Sequence, residues 1–313
     1  MQNIKVFLSG NIHPAAQEKL ADSVQLIVGD KNMGREAFLE AMRDVDAILS
    51  KDDPAPLDES LFAHTPKLRY ISRHGTAYAS IDVEAARLRG IPVSNTGGVN
   101  AVSVAECVFA LILHMARHLS LALSPEGCNV PRGELMGMEL CGKTLGVVGV
   151  GNVGREVVSR ACAFGMNVLV HHPRPSAAEL GKLGITSEQI VGLESLLRES
   201  DIVTLHAPAN EETRGMLGAA QFAEMKRGAL LVNAARPALV DEAAAVHALS
   251  NGVLAGMAVD YIPSTDSLLY GRTDVVIAPH IGTMTRETQY RVGMTAVDNI
   301  LRFFSGETPL YLL

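Results

Sequence analysis

Residues 145–174, LGVVGVGNVGREVVSRACAFGMNVLVHHPR, constrain the fold more than any other stretch of the chain. An apolar, β-rich run leads into Gly149, Gly151 and Gly154, then an amphipathic helical pattern, then a second apolar run. Two strands joined by a helix pair in parallel, because such a connection returns the chain to the same end of a sheet. Each glycine answers a separate demand. Gly149 permits the tight turn out of the strand, Gly151 lets backbone approach a pyrophosphate, and Gly154 allows the helix to pack close to the sheet. Phosphates then lie on unpaired N–H groups at a helix N-terminus, where the dipole favours negative charge, with Asn152 and Val153 in the same turn. The whole unit, and not the glycines alone, predicts a dinucleotide site.

One position departs from the simplest version of that site. An acid about 20 residues on, at the end of the second strand, normally takes the ribose hydroxyls of NAD. His172 stands there instead, with Arg174 two residues later. No carboxylate repels a 2′-phosphate at that point, and a guanidinium is placed to bind one through paired donors. The expected cofactor is therefore NADP in preference to NAD.

Strand and helix signals alternate through most of the 313 residues, enough chain for two parallel α/β domains. Strands are predicted near 4–9, 46–50, 69–72 and 91–94, with helices near 13–21, 34–43, 57–63 and 82–89. A single long apolar helix is expected over about 100–121, then a polar connector, SPEGCNVPRGELMG. A second series follows, with strands near 145–149, 167–170, 202–205, 229–232, 254–259 and 275–278. The last helical pattern, about 285–304, comes after that sheet is complete and is expected to cross back to the first unit.

The longest uninterrupted apolar run, Cys107 to Leu113, is far short of the roughly 20 residues that span a bilayer. A net charge of −7 offers no footprint for nucleic acid. The opening IKVFLSG is strand-like and has no leader pattern, so a cytoplasmic protein is expected. Cys107, Cys128, Cys141 and Cys162 form no CxxC pair and read as free thiols; no metal site is expected.

Four further segments, RHGTAYASIDVEAARLRGIPVSNTGG, TLHAPANEETRGML, LLVNAARPALVDEAAAVHAL and VVIAPHIGTMTRET, occur in order around the glycine-rich turn. With that turn they make the chain resemble the D-2-hydroxyacid dehydrogenases over nearly its whole length. The resemblance implies two doubly wound, Rossmann-like parallel-sheet domains with the active site in the cleft between them. It assigns 1–100 and 287–313 to a discontinuous substrate domain and 101–286 to the dinucleotide domain. It also implies a homodimer, to which the helix at 100–121 would contribute unless it is buried inside its own domain. No regulatory domain is expected after the final helix.

Reducing a 2-oxo acid requires its carboxylate anchored, its carbonyl polarised and a proton delivered to the developing alkoxide. Arg236 in NAARP matches the family arginine, and its planar fork suits the first two tasks. The alternative is a helix-start arginine paired with Asp241 or Glu242. His280 in APHIG matches the family acid/base, and imidazole titrates near working pH. The glutamate that pairs with this histidine in the family has no clear counterpart in GMAVDYIPSTDSLLYGRTDVV. Asp266 is the nearest acid and the candidate substitute, and Asp260 matches the residue that contacts the nicotinamide carboxamide.

Substrate binding is implied for Arg73, His74, Gly75, Thr76 and Ala77, the loop whose backbone amides hold the substrate carboxylate in the family. Ala77 stands where glycine is usual, and Ala79 where aspartate is common. Lys51 follows another strand end and is a candidate for an anionic distal group. Further implied cofactor contacts are Val104, His206, Ala207, Pro208, Thr213, Ala234 and Gly282. These readings predict an NAD(P)-dependent reductase of small 2-oxo acids, hydroxypyruvate or glyoxylate reductase in type. The alternative is a dinucleotide-sensing protein that has lost turnover along with the glutamate.

Overall fold

The computed structural model describes residues 3–173, 176–262 and 264–313. The chain divides into two compact units, Met1–Asn100 with Thr285–Leu313, and Ala101–Met284. Each is built on one parallel sheet.

In the first unit β1 (Lys5–Leu8), β2 (Gln25–Val28), β3 (Ala47–Ser50), β4 (Tyr70–Arg73) and β5 (Val93–Ser94) lie in the order β2-β1-β3-β4-β5. Val6, Phe7, Leu8, Ala47, Ile48 and Leu49 are fully buried, as expected of parallel strands covered by helices on both faces. The strand β2 is not among those predicted from sequence. It is a four-residue edge strand, QLIV, with Gln25 and Val28 exposed, and its apolar run of three residues comes directly behind the helix Pro14–Ser23. The helix Arg286–Ser305 belongs to this unit and packs on the helix Pro14–Ser23. Gly293 makes this approach possible, since a Cβ there would lie 3.0 Å from that of Ala16. Buried Asn299 ties the helix to the sheet edge, donating to Ser94 Oγ at 3.1 Å and accepting from the Leu310 N–H at 2.8 Å.

In the second unit β6 (Thr144–Val148), β7 (Asn167–His171), β8 (Ile202–Leu205), β9 (Ala229–Asn233), β10 (Leu254–Val259) and β11 (Val275–Ile277) take the order β11-β10-β9-β8-β6-β7. A single parallel bridge between Val170 and Ile190 lies where one more strand would extend the sheet beyond β7. With that bridge counted, the order is that of the dinucleotide-binding sheet with its third strand reduced to one residue. The strand order reverses at β6, with β7 added on one side and β8 on the other, and ligands of open α/β sheets bind at such a point.

The expected single helix over 100–121 is two. Ala101–Ala116 ends where the Ala116 carbonyl accepts the Met138 N–H at 2.7 Å. His118 then turns into the left-handed region at φ 49°, and Leu119–Ala122 begins a new helix. Returning connector backbone thus takes an acceptor that a continuing helix would use. Ten residues of Ala101–Ala116 are buried, seven of them in a core of this unit, leaving Val102, Glu106 and Ala110 as its exposed stripe, so internal packing accounts for much of its apolar character. No helix among the described residues is long and apolar enough to cross a membrane. All four cysteines are free, and burial pushes the half-buried Cys107 thiol up to about 11.

Candidate active site at the strand ends

Backbone hydrogen bonds continue past the strands of the second unit and align their C-terminal ends. Gly149 N–H donates to His171 O at 2.8 Å, and His206 N–H donates to Val148 O at 2.7 Å. Asp260 N–H donates to Asn233 O at 3.2 Å, and His280 N–H donates to Asp260 O at 2.7 Å. The glycine-rich turn and the segments carrying His206, Arg236, Asp260 and His280 therefore emerge along one edge of one sheet.

The three glycines are distinct in the way their chemistry requires. Gly149 has φ 90°, and a Cβ there would lie 2.7 Å from the carbonyl carbon of His206, on the β8 side of β6. A Cβ on Gly154 would lie 2.2 Å from Gly149 O, so this glycine lets the helix Asn152–Ala163 pack against the turn. A Cβ on Gly151 meets nothing within 4 Å, and no side chain caps the helix that Gly151 opens. Open space beside an uncapped helix N-terminus fits a pyrophosphate, so these residues suit the implied dinucleotide. Asn152 and Val153 form the first positions of that helix.

At the end of β7, His171 Nδ1 lies 3.1 Å from Val191 O, so this ring closes the strand. His172 is half-buried, and its Nδ1 is buried without a partner among the described residues. Arg174, expected to favour a 2′-phosphate, lies outside the described residues. After β8, desolvation holds the His206 imidazole at about 4, so it is neutral, and its Nε2 lies 2.9 Å from Thr204 Oγ1. Ala207 and Pro208 continue this edge. Thr213 fastens the loop to itself, donating to Pro208 O at 2.6 Å and accepting from Asn210 N–H at 2.9 Å.

Beyond β9, buried Asn233 templates the loop that carries Arg236. Its amide donates to Arg236 O at 2.8 Å, and its Oδ1 accepts the Ala235 N–H at 3.1 Å. Ala234 is half-buried between them. The Arg236 side chain is exposed and donates to Ala235 O at 2.7 Å. Neither suggested carboxylate pairs with it among the described residues. Asp241 caps its own helix through Ala244 N–H, and Glu242 accepts from Ser267 Oγ and Leu268 N–H. The fork of Arg236 keeps its capacity for a ligand anion.

The His280 loop is held by Asp260. This aspartate is 4% exposed, and its two oxygens accept the N–H groups of Ile281 and Gly282, each at 2.9 Å. A Cβ on Gly282 would lie 2.5 Å from Asp260 Oδ2, so the amide approaches the carboxylate only because the residue is glycine. Val104 packs 3.6 Å from the same point, and Ser103 Oγ donates to Gly282 O at 2.7 Å. His280 itself sits at φ 59°, an unusual conformation for a residue with a side chain, and its ring is exposed. Its ring nitrogens bond to no described residue. Asp266 is turned to Ser264, accepting its hydroxyl at 3.0 Å, and makes no hydrogen bond to His280.

The loop after β4 in the first unit uses its members differently from the sequence expectation. Arg73 is drawn into a buried network. It donates to Ser50 Oγ at 3.0 Å, Lys51 O at 2.6 Å, Asp53 at 3.3 Å and Ala77 O at 2.9 Å. Asp53 also accepts hydroxyls from Ser9, Ser50 and Ser80, a knot across the ends of β1, β3 and β4. Lys51 Nζ donates to Asn11 O. His74 is 8% exposed; burial, aided by the charges of Lys51 and Arg73, holds it at about 3. Gly75 turns the chain at φ 110°. The N–H groups of Thr76 and Ala77 bond to no described group, which leaves two adjacent donors for an anion. The roles of Asn233, Asp53 and Ser50 are absent from the sequence reading, because an amide, a carboxylate and a hydroxyl acquire them only through distant partners.

Residues 109–282 match the family model for the D-isomer specific 2-hydroxyacid dehydrogenase NAD binding domain. The chain is 36% identical to a glyoxylate reductase of Aeropyrum pernix, over 99% of this chain and 95% of that protein. It is 38% identical to a D-3-phosphoglycerate dehydrogenase of Archaeoglobus fulgidus, over 88% of this chain. The chain spans about half the length of that relative, the match covering 52% of it. The crystal structure of a glyoxylate reductase from Paecilomyes thermophila superposes with a TM-score of 0.88 and 32% identity, covering 100% of this chain and 99% of that one. By its sheet order, its glycine-rich turn, the segments at its strand ends and these likenesses, the chain belongs to the D-isomer specific 2-hydroxyacid dehydrogenase family.

Proposed function

We propose that this protein reduces a small 2-oxo acid to the D-2-hydroxy acid, as a glyoxylate or hydroxypyruvate reductase does, with NADPH favoured over NADH. The observation that carries the reading is the pairing of roles along one sheet edge. The Arg236 guanidinium pairs with no carboxylate among the described residues, and the His280 imidazole is held on a braced loop after β11. When bound, the nicotinamide dinucleotide supplies the hydride. Arg236 presents its fork to the substrate carboxylate and carbonyl oxygens, which resists substitution by lysine. His280, in its imidazolium form, donates a proton to the carbonyl oxygen as negative charge develops there. Asn233 and Asp260 hold the two loops that carry these groups. The turn at Gly151 takes the pyrophosphate, and the free amides of Thr76 and Ala77 suit a carboxylate. His172 puts no acid at the end of β7, which supports the NADPH preference. A homodimer is part of the proposal, supported by exposed Leu121, Leu123 and Met136.

Steady-state kinetics with NADPH and NADH across a panel of 2-oxo acids test this reading. NADPH should give the higher kcat/KM, and Arg174→Ala should erode that preference by weakening NADPH use. His280→Ala should lower turnover by about 10²–10⁴-fold with dinucleotide binding retained. A clear NADH preference refutes the cofactor assignment. Tight dinucleotide binding without turnover on any 2-oxo acid favours the sensing alternative, whose support is the absence of a carboxylate on His280 among the described residues. Light scattering reads the oligomeric state.

A further inference from the structure

We propose that Tyr261 is the positioning residue of His280, its ring providing the support that a carboxylate supplies in the family; this rests on His280 being the proton donor. Tyr261 directly follows Asp260, and the dipeptide holds the 280–282 loop in two ways. Asp260 fixes backbone, through its carbonyl to the His280 N–H at 2.7 Å and its carboxylate to the next two amides. Tyr261 meets the side chain, with ring centroids 5.3 Å apart and the planes tilted by 39°.

Three observations separate this contact from ordinary packing. Tyr261 is 44% exposed and lies outside the hydrophobic cores of its unit. The His280 ring is exposed and has no hydrogen-bonding partner among the described residues, so the tyrosine is the one ring set against it there. The candidate carboxylate, Asp266, is turned to Ser264. An imidazole on an exposed loop with no other support samples several rotamers. A ring against one side narrows that choice. A phenyl ring provides the same wall, so the role belongs to the ring and not to the hydroxyl.

Tyr261→Phe and Tyr261→Leu test this, with His280→Ala as control and melting curves to establish folding. In proton–carbon spectra of the protein without ligand, the His280 ring resonances are those missing from His280→Ala. They should carry an upfield ring-current displacement in the unmodified protein, keep it in Tyr261→Phe and lose it in Tyr261→Leu. Tyr261→Leu should lower kcat roughly 3-fold or more, as the imidazole spreads over the staggered rotamers, with KM little changed. Tyr261→Phe should restore kcat. Unmoved resonances in Tyr261→Leu overturn the proposal. So does a normal kcat in that variant when His280→Ala is impaired. Full turnover in His280→Ala instead overturns the reading of His280 as donor, whatever the spectra of the Tyr261 variants.

Discussion

Replacing Asp260 with asparagine alters a carboxylate that is 4% exposed and holds two amides at 2.9 Å. Asparagine keeps one oxygen and turns an NH2 donor toward the other amide, so one charge-assisted bond is lost and a donor faces a donor. Losing such a bond costs about 1.5–3 kcal/mol. The loop it holds also carries His280 at φ 59°, a conformation that costs on the order of 1 kcal/mol and persists only while its surroundings enforce it. In a unit of this size the loss lowers Tm by roughly 3–12 °C. Calorimetry on protein without cofactor should show that fall, and kcat should drop as His280 leaves its place. Gly282→Ala should do similar damage, because its Cβ would lie 2.5 Å from Asp260 Oδ2. On an Asp260→Ala background that added cost should shrink, the signature of two residues sharing one interaction. If Asp260 acts only as a cofactor contact, Asp260→Asn will weaken dinucleotide binding and leave the Tm of the cofactor-free protein unchanged. That result refutes the bracing role.

The glycines of the turn make a paired prediction: Gly151→Val should leave the melting temperature nearly unchanged while abolishing dinucleotide binding, whereas Gly154→Ala should cost about 1–3 kcal/mol of stability by pressing on Gly149 O. Calorimetry and dinucleotide titration decide both, and a destabilised Gly151→Val would mean the open space is not a ligand site. Arg236→Lys keeps the charge but loses the fork, so kcat/KM for 2-oxo acids should fall sharply with Tm preserved; unchanged kinetics would make Arg236 structural. His74 is neutral in the fold, held at about 3, while the unfolded chain takes up its proton near 6.5. The unfolded state then binds more protons in that interval, so this contribution is complete above about pH 6.5 and is lost as pH falls toward 3. His74→Gln should flatten the acid limb by up to one proton, about 1.4 kcal/mol per pH unit, in urea unfolding followed against pH. An unaltered slope would mean His74 titrates alike in both states.

Short-range pattern made much of this protein legible. The apolar runs at 145–149, 202–205 and 229–232 correspond to β6, β8 and β9, because strands buried on both faces read as continuous hydrophobic stretches. The edge strand β2 escaped although Leu26, Ile27 and Val28 are apolar, because so short a run directly behind a helical pattern has no period of its own. The break after Ala116 escaped too, because its cause is the Met138 amide, which arrives from a segment more than twenty residues later. At the site the same division holds. Gly149, Gly151 and Gly154 are legible through their spacing, and Arg236 and His280 are candidates through the family motifs around them.

What the sequence determined by itself was the parallel α/β architecture and the dinucleotide turn, both encoded by neighbours within a few residues, with Arg236 and His280 as candidate reactive groups through the family motifs. Tertiary structure alone decided which polar groups remain available. Arg73 and Lys51 look free in the sequence, yet Asp53, Ser50 and Asn11 engage them; Arg236 looks ready to pair with Asp241 or Glu242, yet both carboxylates bond elsewhere. Asp260, read as a cofactor contact, also braces the His280 loop. A hydrogen bond needs its partners within about 3 Å, and partners far apart along the chain reach that distance only when the sheet aligns its strand ends.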